Sequence, residues 1–322
     1  MKTLIIAKPA GFSLDAVSEF YAGFTPGSGM AAASTEQLTL AFRLDDSFAP
    51  VAISLREQHG ALTASLSSGA DEQAVRKQLG RMLGLEADAE AWWALGARVP
   101  LVGALQREFP GFLTAAKASP YDAAVWSLIA PRLSMQVAAR IKLELARTHG
   151  TAVELHGQVH HVFPGPEALL ELDHAPGLSE EKVARLRGLA RAALDGLLDA
   201  DRLRALGEVE ALAQLQTIRG IGPWSASHIY YRGAAPIDGL PSAEPRVLHG
   251  YAHATDSALP SAAAFQRAAE SFRPFRMWVT VLLSRHLART DGWRAPELAQ
   301  QRAEASRAIA KQTRGRTRAL PL

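Results

Sequence analysis

Apolar and polar positions change period once along this chain, near residue 89. Before that point, residues 3–7, 38–44, 51–56 and 61–67 are short runs of strand-forming side chains separated by turn residues. Helical spacing occurs between them at 13–21 and 71–83. The pattern predicts a small antiparallel sheet flanked by two helices over residues 1–88. After it, the 3.6-residue period predicts helices at 90–96, 121–129, 134–148, 166–172, 180–196, 208–216, 223–232, 245–254, 262–270, 274–287 and 295–311. Residues 153–163 break the pattern as a loop or short hairpin. Its His156, His160 and His161 match no metal-ligand spacing, so a surface loop is the simpler reading. The longest stretches without periodicity are 23–35 and 233–243, and there is neither a repeat nor a low-complexity segment.

Composition narrows this picture little but excludes several classes. The 322 residues, 48% hydrophobic and 21% charged, suit a globular chain of two or three domains. The absence of cysteine rules out disulfides, cysteine-held zinc and a cysteine-ligated iron–sulfur cluster, and fits a reducing cytoplasm. The apolar run at residues 4–7 is too short for a signal peptide, and no stretch is long enough to cross a bilayer. A net charge of +3 permits a polyanionic partner without requiring one. Basic residues gather at the end, where Arg302, Arg307, Lys311, Arg314, Arg316 and Arg318 face Glu304 alone. This run reads either as a solvated tail or as an arm that tracks phosphates.

The stretch richest in chemistry is Leu215-Gln216-Thr217-Ile218-Arg219-Gly220-Ile221-Gly222-Pro223-Trp224-Ser225-Ala226, followed by Glu244. It reads as helix, glycine turn and second helix. Gly220 and Gly222 allow backbone with positive φ and clear the way for a close partner. Pro223 suits the first helical position, leaving free N–H groups and a positive dipole end at the turn, a setting for an anion such as phosphate. Trp224 and His228 are four residues apart and share a helix face, where they line a pocket for a planar base or simply pack as core. Glu244, before Pro245, falls at a helix cap, as an ordinary capping acid or as a carboxylate able to stabilise an oxocarbenium ion.

Residues 109 to 287 resemble the helix-hairpin-helix DNA glycosylase superfamily, and within it the bacterial 3-methyladenine DNA glycosylase II (AlkA-type) family. The resemblance is carried by Phe109-Pro110-Gly111-Phe112 with Ala124-Val125-Trp126-Ser127-Leu128-Ile129, by Phe163-Pro164-Gly165-Pro166-Glu167, and by Leu189-Ala190-Arg191-Ala192. The glycine turn and Phe272-Arg273-Pro274-Phe275-Arg276 complete it. It implies an α+β fold: a TATA-binding-protein-like sheet domain at 1–88, then an all-α core whose hairpin domain spans 117–242. Residues 89–116 and 243–322 would close the other side of the cleft. It further implies that Gly220, Gly222 and neighbouring amides, Ser225 included, hold a DNA phosphate. A monovalent cation, Na+ or K+, would sit on the carbonyls of Gln216, Ile218 and Ile221, with no other cofactor required. Relatives that also cleave the strand carry a Schiff-base lysine where this chain has Trp224, so a monofunctional enzyme is expected. The implied partner is double-stranded DNA containing damaged bases, met by a monomer in the bacterial cytoplasm at the nucleoid, away from any membrane.

Departures from the family pattern bear on the chemistry. The Leu-Pro-x-x-Asp loop appears as Leu240-Pro241-Ser242-Ala243-Glu244, so glutamate stands where the catalytic aspartate is expected. One added methylene moves the carboxylate by roughly 1 Å, a shift that can cost about a hundredfold in rate unless the pocket has adapted. His228 replaces a usual tyrosine, and Ser284 lies near a position often held by tryptophan. The usual Gly-Gln-φ-φ-Ser run reads Ala130-Pro131-Arg132-Leu133-Ser134, which makes Arg132 the wedge that fills the gap left by a flipped base. The expectation is a DNA glycosylase that excises alkylated, 3-methyladenine-like bases through Glu244, with Trp224, His228 and Ser284 lining the base pocket. The alternative is a lesion-binding protein of altered specificity or without catalysis.

Overall fold

The computed structural model describes residues 2–23, 31–34 and 37–290. The predicted helix at 295–311, the basic run from Arg302 and most of the 23–35 stretch lie outside the described residues. Strands β1 (Lys2–Ala7), β2 (Ala31–Ser34), β3 (Gln37–Arg43), β4 (Pro50–Gln58) and β5 (Ala61–Leu66) form one antiparallel sheet in the order β1-β5-β4-β3-β2. Alternation in β5 buries Leu62, Ala64 and Leu66, whereas β3 and β4 are buried over most of their length. They are covered on both faces. Helices α1 (Leu14–Gly23) and α2 (Glu72–Leu83) belong to one layer, while the hairpin β6 (Thr151–Leu155) and β7 (Gln158–Val162) packs Leu155 and Val162 onto Ala41 and Ala52. Asp71 caps α2 by accepting from the N–H groups of Gln73 and Ala74.

The remainder is helical: α3 (Ala89–Arg98), α4 (Pro100–Glu108), α5 (Pro120–Ile129), α6 (Met135–Thr148), α7 (Pro166–Leu170), α8 (Glu180–Leu194), α9 (Ala200–Gln216), α10 (Pro223–His228), α11 (Pro245–Ala254), α12 (Ala262–Ala269) and α13 (Arg276–Arg289). Serine hydroxyls cap α5, α6, α8 and α12 through Ser119, Ser134, Ser179 and Ser261, so their starts are written locally. Helix α9 is broken at Gly207, with φ 77° and ψ 174°, which separates 200–206 from the predicted helix at 208–216. The predicted helix at 223–232 changes character partway, passing from α10 into a π-helical segment at Ile229–Ala234. One hydrophobic core joins sheet and helices, from Leu40 and Ile53 through Phe112 to Leu215 and Leu282. At its centre, fully buried Trp92 meets Phe275 and Trp278 edge-on, with centroids at 5.5 and 5.3 Å.

Candidate nucleic-acid interface and base pocket

The glycine turn between α9 and α10 gives its two glycines different tasks. Gly220 has φ +92°, and a Cβ there would lie 2.7 Å from Arg185 Cδ and 3.0 Å from Leu128 Cδ2. Both conformation and space exclude a side chain. Gly222 has an ordinary extended backbone, φ −87° and ψ −179°, and a Cβ would meet nothing within 4 Å. Neither conformation nor space within the fold requires glycine at 222. Gly222 is the N-cap of α10 and Pro223 its first residue, as expected, and no side chain caps this end. The N–H groups of Trp224 and Ser225, in the first turn, lack an in-helix acceptor. Beneath the turn, Ile218 and Ile221 are buried, and the Ile221 N–H donates to the Ile218 carbonyl at 3.0 Å.

Three of the expected site residues, Trp224, His228 and Glu244, come together across the 235–244 loop. Trp224 and His228 stack with centroids 5.3 Å apart and planes 11° apart. Glu244 is the N-cap residue of α11, and its carbonyl accepts from the N–H groups of Val247 and Leu248 at 3.0 and 3.2 Å. Its carboxylate does not cap that helix. Instead Oε2 accepts from Trp224 Nε1–H at 3.1 Å. Arg232 lies in the π-helical segment and donates to the Ala115 carbonyl at 2.8 Å. Burial pushes its guanidinium down to about 10, against the opposing charges of Tyr21 and Glu244.

The loop that presents Glu244 is tied down on both sides. Tyr231 donates its hydroxyl to the Leu240 carbonyl at 3.0 Å, and the Met277 N–H donates to the Ile237 carbonyl at 3.1 Å. Asp238 accepts from Arg273 and from Arg276 Nε at 2.9 Å, so the arginines of the 272–276 signature anchor the loop and occupy this acid. Ser284 lies on α13 and donates to the Thr280 carbonyl at 2.9 Å. No hydrogen bond among the described residues joins it to Trp224, His228 or Glu244.

Arg132 is exposed in the turn between α5 and α6, with φ +63°. Around it are residues that sequence reasoning did not single out. Lys182 donates to the carbonyls of Ile129 and Pro131 at 2.6 and 2.8 Å. Glu181 accepts from Arg219 at 3.1 Å and from Arg185 Nε at 2.9 Å. Arg219 was visible inside the glycine-turn motif, but Lys182, Glu181 and Arg185 read only as the polar face of a helix. Arg232 likewise carried no signal of its own.

No protein-family model matches the chain. It is 25% identical over 163 residues to a DNA-3-methyladenine glycosylase of Bacillus subtilis, covering 48% of this chain and 54% of that protein. A probable bifunctional transcriptional activator/DNA repair enzyme AlkA of Mycobacterium tuberculosis is 32% identical over 168 residues, 51% of this chain and 33% of that one. DNA-3-methyladenine glycosylase 2 of Escherichia coli is 25% identical over 201 residues, covering 61% of this chain and 66% of that one. The chain thus spans about half of the Bacillus relative's length and a third of the Mycobacterium one's. In three dimensions, a 3-methyladenine DNA glycosylase from Archaeoglobus fulgidus superposes with a TM-score of 0.73 at 19% identity, covering 90% of this chain and 99% of that one. An 8-oxoguanine glycosylase/lyase from Clostridium acetobutylicum in its apo form gives 0.63 at 13% identity, covering 88% and 95%. The small antiparallel sheet and mostly helical core of this chain match the fold of these solved glycosylases. These likenesses support a place beside the helix-hairpin-helix DNA glycosylases, with the sequence similarity lying among the 3-methyladenine, AlkA-type proteins.

Proposed function

We propose that this chain is a monofunctional DNA glycosylase that flips an alkylated, 3-methyladenine-like base out of duplex DNA and hydrolyses its N-glycosidic bond. The observation that carries this reading is the meeting of Glu244 with Trp224, 3.1 Å from carboxylate to indole nitrogen, beside the stacked His228 and one turn beyond Gly222. A phosphate drawn to the turn by Gly222, the Trp224 and Ser225 amides and the positive end of α10 would place the adjoining nucleotide at this pocket. Trp224 and His228 offer faces to the extruded base, and Ser284 is the third wall. The carboxylate of Glu244 stabilises the oxocarbenium-like sugar as the base leaves. A base with a methylated ring nitrogen is already cationic, so its departure needs little protonation. Trp224 in place of a lysine leaves no amine for a Schiff base, so the product is an intact abasic strand.

Several finer assignments belong to the same reading. The sheet domain at 1–88 is the TATA-binding-protein-like module; 117–242 carries the hairpin, and 89–116 with 243–322 closes the opposite side. The hairpin carbonyls of Gln216, Ile218 and Ile221 take Na+ or K+, and duplex affinity should fall when both are replaced by a bulky organic cation. The protein acts as a monomer on bacterial nucleoid DNA in the cytoplasm. The deciding experiment is base release from methylated duplex by the wild type and Glu244→Gln. A loss of about a hundredfold or more is expected on removing a preorganised charge, and undiminished release removes Glu244 from the role.

A second reading, a lesion-binding protein without catalysis, is favoured by the glutamate itself, whose carboxylate is engaged by Trp224. Activity that appears only in Glu244→Asp would establish it, and turnover by the wild type on any damaged base eliminates it.

A further inference from the structure

We propose that Lys182 is a positioning residue that holds Arg132 in place, and that the first turn of α8 ties the wedge to the hairpin. The inference rests on the reading of Arg132 as the wedge and of the glycine turn as the phosphate grip.

Helix α5 ends at Ile129, and its last carbonyls have no partner within the helix. The chain then turns at Pro131-Arg132 before Ser134 opens α6. Arg132 takes φ +63°, a conformation that a residue with a β-carbon adopts only when its surroundings impose it. Two constraints impose it here. The Leu133 N–H closes the turn onto the Ala130 carbonyl at 3.0 Å. The Lys182 ammonium bridges the carbonyls on either side, Ile129 at 2.6 Å and Pro131 at 2.8 Å. One cation thus ties the last carbonyl of α5 to the carbonyl immediately before Arg132, while the arginine itself stays exposed.

The ammonium does so in an electrostatically poor setting. Burial lowers its affinity for the proton, and Arg132 and Arg185 lower it further. A lysine there only for surface charge would turn away from these neighbours into water.

The same turn of α8 reaches the hairpin. Glu181 bonds Arg219 at 3.1 Å and Arg185 at 2.9 Å, and the Arg185 stem lies where a Cβ on Gly220 would be 2.7 Å away. Residues 181–185 span little more than one turn, about 5.4 Å of helix rise. Wedge and grip are therefore spaced by one rigid segment. A duplex gripped at the phosphate meets Arg132 at a set distance and height, which base extrusion requires.

The test compares Lys182→Met, which keeps the stem and loses the donors, with Lys182→Arg, Arg132→Ala and the Lys182→Met/Arg132→Ala pair. In the free protein, amide exchange at Leu133 should rise at least tenfold in Lys182→Met and return towards wild type in Lys182→Arg. On duplex with 2-aminopurine beside a lesion analogue, the fluorescence rise on binding should fall in Lys182→Met as far as in Arg132→Ala. The double variant should be no worse than Arg132→Ala alone. Unchanged Leu133 exchange overturns the positioning role whatever the DNA data show. Additive losses in the double variant overturn it too, as does a salt slope reduced by about one in Lys182→Met, which would make Lys182 a phosphate contact. Raised Leu133 exchange in Lys182→Met, with no duplex response from the wild type, refutes the glycosylase reading and the wedge with it, leaving only the local restraint.

Discussion

Gly222→Ala separates fold from function more cleanly than any other change in the hairpin. The backbone at 222 is extended, with φ −87° and ψ −179°, which alanine adopts without strain, and its Cβ would enter open space. Two small effects on stability then oppose each other. Replacing glycine at a compatible position removes unfolded-state freedom and stabilises by about 0.4–1 kcal/mol. Alanine is a poorer N-cap than glycine, by an amount that is a sizeable part of the ~1 kcal/mol separating good caps from alanine. The sum is close to zero, so the melting temperature should move by no more than about 2 °C. Duplex binding should respond strongly. On the proposed reading, a methyl group at 222 would stand in the path of a phosphate approaching the amides of α10, and losing one charge-assisted hydrogen bond costs about 1.5–3 kcal/mol. That is roughly a 10- to 150-fold weaker affinity. Because no cation is removed, the slope of log affinity against log salt should stay as in the wild type, whereas losing the exposed guanidinium in Arg132→Ala should lower it if that group meets a phosphate. Gly220→Ala makes the contrast, losing stability and binding together, because its φ is +92° and its Cβ would strike Arg185 and Leu128. Fluorescence anisotropy at several salt concentrations, alongside thermal melts, reads all three. Wild-type affinity in a stable Gly222→Ala protein would refute the phosphate grip.

Other predictions concern the pocket, its loop and the core beside it. Trp224→Phe keeps a ring against His228 but removes the donor to Glu244, so base release should fall about tenfold, the worth of a hydrogen bond to a charged group, with duplex affinity within about twofold; unchanged release would mean the contact does not position the acid. Asp238→Ala deprives Arg273 and Arg276 of their common carboxylate; since these groups are partly exposed, a loss of about 1–2 kcal/mol is expected, read as a drop of ~1.5–3 °C in the melt. The buried pairing of Asp122 with Lys117 and Lys142 gives a pH signature. Burial alone would raise the Asp122 carboxyl, but the two ammonium charges prevail and hold it at about 2, below its ordinary value. A depressed folded value gives stability that is complete above about pH 4 and lost as pH falls towards 2, here about 2 kcal/mol. Urea midpoints between pH 2 and 5 should show that slope in the wild type and lack it in Asp122→Asn.

Where caps and periodicity act locally, the sequence was easy to read. Four strands of the sheet fall within two or three residues of their expected bounds, and α11 runs over the expected residues because Pro245 fixes its start. Helix α4 escaped notice because Val99 offers no capping side chain and Gly103 lies mid-helix, where it packs against Gly96 rather than signalling a break. Strand β2 lies in a stretch of alanine, serine and glycine with no apolar alternation, so only its pairing with β3 defines it. The π-helical segment at Ile229–Ala234 has no sequence signature at all; it depends on packing against α5 and α9.

The site divides along the same line. Positions fixed by backbone chemistry, Gly220 with its positive φ and Pro223 at the first helical residue, could be placed from residue type alone. Positions fixed by contacts between distant segments could not, and Glu244 shows why. Alone, it was a capping acid one methylene too long for its expected role. In the fold its side chain does not cap; the carboxylate reaches across to Trp224, twenty residues earlier. An aspartate on the same backbone would fall roughly 1 Å short of that indole nitrogen, a displacement of the size that alters rates. The longer acid and the tryptophan are therefore read best as one adaptation, in which the side chain of Glu244 is held by a partner rather than by its own shortness. Glu244→Asp should then lose activity in the presence of Trp224 and lose less in a Trp224→Phe background, a coupling that kinetic double-mutant analysis measures directly. Equal losses in both backgrounds would make the two substitutions independent.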